Sequence, residues 1–267
     1  MKKNNAVLVF IGALALVLVG VRIFQLFGLN EAGTVEPVFL TYLLYGVIAA
    51  ATVLVPVLVR AKEEPPLPFY GFAAEYLLLI LGVSLLVEAW CRLFLTDGML
   101  FSLPIKLLVL FSVIAGVCFF ATFISRFLAS GKAAAWTAPV AFLAFLAYLV
   151  TDTVYLFIQN RTGVALTLNL LSLVVICAAI FFVKALAKEF LSIANKSSRR
   201  SLLRSALLLL IFLPAELTGQ LLVRFGKVAE APVAPLRGSI AELVTDAVLL
   251  LLALAVCTVT FRRQTKH

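Results

Sequence analysis

Eight apolar stretches of about 20 to 25 residues, parted by short polar connections, constrain this chain more than any motif in it. Each is long enough to cross a hydrocarbon core roughly 30 Å thick as an α-helix. No water reaches the backbone N–H and C=O groups in that medium, so only helices and closed barrels span it. A barrel needs short alternating segments, and runs such as Leu207 to Phe212 do not alternate. The expected fold is all-α, a polytopic membrane helix bundle of eight transmembrane helices over 6–28, 37–60, 71–95, 103–128, 135–159, 164–187, 203–224 and 238–261. Composition agrees: 64% of the residues are hydrophobic and 13% charged, about half the charge of a soluble domain. The short connections leave no room for a separate soluble unit, so residues 1–267 are expected to form a single integral membrane domain.

Lys2 and Lys3 before an apolar run resemble the start of a signal peptide. The run is too long for such a segment, and no small-x-small cleavage site follows, so it is expected to be an uncleaved first helix. Cytoplasmic segments of membrane proteins carry an excess of Lys and Arg. With the N-terminus inside, that face holds Lys2, Lys3, Arg60, Lys62, Arg126, Lys132, the run from Lys184 to Arg204, and Arg262, Arg263 and Lys266. The opposite face holds chiefly Arg161, Arg224, Lys227 and Arg237. Both termini are therefore expected in the cytoplasm and the protein in the cell membrane. The net charge of +9 then needs no nucleic acid to explain it, because anionic lipid attracts this face. The basic stretch from Lys184 to Arg204 reads as a topology anchor, with docking of a partner protein or lipid sensing as the alternative.

Cys91, Cys118, Cys177 and Cys257 all fall inside expected helices, form no CxxC pair, and read as small packing residues. His267 is the single histidine. No metal site or cofactor is expected. Asn160-Arg161-Thr162 matches the glycosylation sequon, a tripeptide common by chance.

The odd-numbered helices resemble one another near their outer ends, where Glu88, Asp152 and Glu216 are each about 64 residues apart. Arg22 aligns with Arg92 if the first helix is added, with Leu18 in the acidic position. This spacing suggests four tandem two-helix hairpins. An even number of helices per unit keeps every copy in the same orientation, related by an axis along the membrane normal, and implies no inverted repeat.

Ionisable residues inside a membrane cost several kcal/mol. At 1.5 Å per residue, Arg22, Glu88, Asp152 and Asp246 fall about 5 to 8 Å outward of their helix midpoints. Glu216 lies nearer the midplane, and Arg92 and Glu242 nearer the outer interface. Charges on five helices thus share one outer layer and are expected to face one another. Glu88 and Arg92, one turn apart, have the spacing of an ion pair. Glu242 and Asp246 share that spacing with like charge, so one of them needs a cation or a proton. Pro214 removes a hydrogen bond in mid-helix, frees the Leu210 carbonyl and is expected to kink the helix beside Glu216, with Gln220 one turn further out. Two readings stay open for this layer: a hydrated binding pocket, or ion pairs that fix helix register. Glu75 complements a helix N-terminus, Lys106 and Arg126 suit snorkelling, and Trp90 and Tyr155 suit an aromatic belt. Pro232 and Pro235 mark an outer loop.

Transport or binding of a small cationic solute, or of protons, through an outward-facing acidic pocket is the functional expectation. The alternative is a non-catalytic sensor or accessory subunit acting through a membrane or cytoplasmic partner chain. The absence of an internal histidine argues against an enzyme using metal or Ser-His chemistry, while acid-pair chemistry by Glu88, Asp152 or Glu216 stays open.

Overall fold

The computed structural model describes residues 2–28, 38–58, 72–94, 103–128, 132–159, 163–225 and 240–264. The regular structure within them is wholly helical: α1 (Lys2–Phe27), α2 (Phe39–Leu58), α3 (Phe72–Phe94), α4 (Leu103–Leu128), α5 (Lys132–Gln159), α6 (Gly163–Phe190), α7 (Lys196–Phe225) and α8 (Ile240–Gln264). All eight are long and apolar enough to cross a membrane. Expectations for Arg60, Lys62, Arg161, Lys227, Arg237, Lys266, the Asn160 sequon, His267 and the Pro232–Pro235 loop lie outside the described residues.

The largest departure from the expected spans is between α6 and α7, where the basic stretch proves to be mostly helix. The α6 C-terminus is closed by a pair of nested bonds, Ile193 N–H to the Lys188 carbonyl at 2.9 Å and Ser192 N–H to the Glu189 carbonyl at 3.1 Å. Ser192 supplies the left-handed residue such a cap requires, at φ 60°. Asn195 then caps α7: its Oδ1 accepts from the Ser198 N–H at 2.8 Å, and Ser198 Oγ accepts from the Asn195 N–H at 2.9 Å. Arg199 donates to the buried Glu189 carboxylate at 3.1 Å, tying the first turn of α7 to the end of α6. Hydropathy marks where the apolar part of a helix stops; caps and ion pairs carried these helices further.

Helices α3 to α8 close into a ring, each packed on the next in chain order and α8 returning to α3. α1 and α2 lie outside it, both against α7. α7 is accordingly buried on nearly all sides, from Ser205, Ala206 and Leu207 through Ile211, Phe212 and Leu213, as expected of a helix surrounded by others. On α1 and α2 the exposed side chains include Val9, Leu16, Phe24, Tyr42 and Val53, an apolar face that lipid solvates.

One half of the ring is cored by a run of rings. Tyr148 stacks on Phe145, Phe145 meets Phe119 edge-on, Phe119 meets Phe142, and Phe142 meets Phe190, with centroids 5.3 to 6.1 Å apart. Phe190 lies under the Arg126 guanidinium at 4.2 Å, and Arg126 pairs with Glu75 at 2.7 Å. Arg126, expected to snorkel, is thus tied into the bundle, and Glu75 has a cation as well as a helix N-terminus.

α3 and α4 cross at Gly82 and Gly116. A Cβ at Gly116 would come within 2.8 Å of the Gly82 carbonyl oxygen and 2.7 Å of Leu86. Small residues let helix backbones approach in this way where lipid supplies no hydrophobic force between helices. Gly116→Ala is expected to lower stability by about 1–3 kcal/mol, measured as the unfolding midpoint in mixed micelles. An unchanged midpoint would show that the helices do not cross so closely.

Candidate functional site

The charged residues expected to share a layer lie in two adjoining groups, joined along α8. In the first, α3 presents Glu88 and Arg92 one turn apart, a distance set by the helix itself. Arg92 Nε donates to Glu88 at 2.9 Å, and Arg92 Nη2 donates to Glu242 of α8 at 2.8 Å. Glu88 Oε1 also accepts the Tyr148 hydroxyl of α5 at 2.6 Å. The Tyr155 ring lies 6.0 Å from the guanidinium carbon, and Asp152 is within electrostatic reach of both Glu88 and Arg92. Below the pair, Ser84 and Thr245 share a hydrogen bond at 2.9 Å between α3 and α8.

The second group is centred on α7. Glu216 Oε1 accepts from Ser172 of α6 at 2.6 Å and from the Gln220 amide at 3.3 Å. The same amide donates to Asp246 of α8 at 3.0 Å. Arg22 enters from α1 and is attracted to Glu216. Its side chain lies over Gly219, where a Cβ would come 3.0 Å from Nε. It also donates to Gln25 at 3.4 Å, a long contact. Pro214 sits inside α7, and its carbonyl accepts from Thr218 Oγ1 at 2.7 Å.

Burial is nearly complete. Glu88 is 0% exposed, Arg22 and Asp152 1%, Glu216 and Asp246 2%, and Glu242 8%. Among the described residues, five buried carboxyl groups and two guanidinium groups make up the layer. Glu88 Oε2, Glu216 Oε2 and Gln220 Oε1 are buried and have no hydrogen-bond partner among the described residues. Each is an acceptor.

The sequence pointed to eight ionisable or amide side chains, and the fold brings all eight into these two groups. Glu242 and Asp246, at least one of which was expected to need a cation or a proton, have separate partners, Arg92 and Gln220. Trp90 does not line the layer; it is exposed and packs on Phe94. Tyr148 and Ser172 were not anticipated. Tyr148 precedes Asp152 by one turn, a signal available in the sequence, whereas nothing local to Ser172 marks it.

Fold and layer together define a multi-pass helical membrane protein whose helices are joined at a buried polar layer. No family model matches the chain, and no curated protein or solved structure was found to match it.

Removing one partner from a buried ion pair strands the other, so Arg92→Met is expected to lower stability by about 3–5 kcal/mol. Adding Glu242→Met to that variant should restore part of the loss, because it removes one stranded carboxylate. Equilibrium unfolding of the two single variants and the double variant gives the coupling, and strictly additive losses would refute the pairing across α3 and α8.

Proposed function

We propose that the protein binds a proton or a small cation in this buried layer, as an outward-facing acidic pocket, and carries it across the membrane. The observation that carries the reading is the surplus of three carboxyl groups over guanidinium groups in a layer shut off from water. Fully ionised, that surplus would be far too costly in an apolar medium. A proton or a bound cation removes the cost, and the partnerless oxygens of Glu88, Glu216 and Gln220 are acceptors for it. Pro214 lacks the N–H that would otherwise engage the Leu210 carbonyl, nearly three turns from Gln220.

The repeat belongs to the same reading. Glu88, Asp152 and Glu216 would be equivalent positions of tandem hairpins, so one ancestral acid would have given each of α3, α5 and α7 its buried carboxyl group. The Lys and Arg bias supports a cell-membrane location with both termini in the cytoplasm, and the layer then lies in the outer half of the membrane.

A second reading, a sensor or accessory subunit that binds without conducting, is favoured by the run of rings from Tyr148 to Phe190. Below Glu88 it fills the half-ring with aromatic side chains, the four from Phe145 to Phe190 buried.

Proteoliposomes holding a pH-sensitive dye, under imposed proton, sodium or potassium gradients, test the proposal. Flux is expected with wild type and is expected to be abolished in Glu216→Gln, with the folded elution profile kept. Cation-dependent stabilisation without flux, lost in Glu216→Gln, would replace transport by the sensor reading. Identical behaviour of wild type and variant in both assays would sink both readings and leave an ion-pair scaffold.

A further inference from the structure

The geometry points to a binding site for the phosphate of an anionic glycerophospholipid in the groove between α6 and α7, at the N-terminal end of α7. A cavity of about 310 Å³ opens there, with Ser197, Arg200, Ser201, Arg204 and Ser205 along one side. Those positions recur every three or four residues, so one stripe of α7 turns two guanidinium groups and three hydroxyls towards the same space. The groove is basic: among the described residues no acidic side chain lines it. Arg199, the neighbour of Arg200, is already engaged by Glu189 at 3.1 Å and faces elsewhere. Arg200 and Arg204, one turn apart with like charge, repel each other, and an anion between them turns that repulsion into attraction. Arg204 is held in place by a contact from Nη2 to the Pro56 carbonyl at 3.3 Å. Its Nε is buried, and no described residue accepts from it. A guanidinium fixed at the wall of a basic groove is preorganised for an anion, and phosphate oxygens suit a guanidinium fork.

The apolar end of the groove selects lipid over a soluble anion. One turn beyond Ser205 the stripe continues as Leu208, facing Ala178 and Phe181 of α6, and Phe181 is 59% exposed. A free phosphate would leave that end uncovered, whereas a headgroup with its acyl chain covers both ends. Basic pockets between transmembrane helices at the membrane surface bind lipid headgroups in this way. The site rests on different residues from the buried acid layer, and its test does not depend on what that layer does.

Thermal unfolding of the full chain in mixed micelles supplies the test, with phosphatidylglycerol titrated into phosphatidylcholine. Phosphatidylglycerol is expected to raise the midpoint of wild type. Arg200→Gln and Arg204→Gln should each raise the mole fraction needed for half of that effect by about fivefold. Lys196→Gln removes the same charge from the first turn of α7 without lining the groove and is expected to respond as wild type does. Arg200 is exposed, so its variant keeps the test valid if Arg204→Gln does not fold. An equal response from Lys196→Gln and the groove variants would overturn the site in favour of diffuse surface attraction. Stabilisation by millimolar inorganic phosphate alone, sensitive to the same two substitutions, would overturn the lipid assignment and make the ligand a soluble anion.

Discussion

The bundle depends on the cost of holding charge where there is no water. A carboxylate or guanidinium inside a membrane is tolerated when another group meets it, so each buried charge obliges its helix to lie beside a partner. Arg92 joins α3 to α8 through Glu242, Tyr148 adds α5 at Glu88, Ser172 adds α6 to α7, Gln220 adds α8, and Arg22 brings α1. Lipid gives apolar side chains little reason to prefer one helix neighbour over another. The polar layer therefore specifies which helices meet, while close approaches such as Gly82 on Gly116 set how near they come.

The same requirement separates a scaffold from a site. A layer built to fix helix register is satisfied when each charge has found its opposite. Among the described residues carboxyl groups outnumber guanidinium groups, and Glu88 Oε2, Glu216 Oε2 and Gln220 Oε1 have no donor. The imbalance is distributed over two groups that share α8, so a charge accepted by one alters the field felt by the other.

How much of this was legible in the sequence follows from the range of each interaction. Eight helices were legible because membrane thickness fixes a length and the polar connections mark its ends. Glu88 with Arg92 was legible because helical geometry alone places them together. The approach of Arg92 to Glu242 was not, because 150 residues separate them and only the closure of α8 onto α3 makes them neighbours. Tyr148 stood one turn from Asp152 and still pointed its hydroxyl at a different helix. The start of α7 was misjudged for another reason: its first turns are polar and held by Asn195 and Glu189, so hydropathy has no grip on them. The groove beside Arg204 has no sequence signature beyond its basic charge, since it exists only between two packed helices.

The position of α7 also orders events during synthesis. Chains emerge from the N-terminus, so α1 and α2 are in the bilayer long before their docking surface exists. Until α7 arrives, Arg22 has no Glu216 to meet, while its contact with Gln25 lies within its own helix. The first hairpin to insert is therefore among the last to settle. Its docking on α7 is what completes the surroundings of Arg22 and joins the pair to the finished bundle.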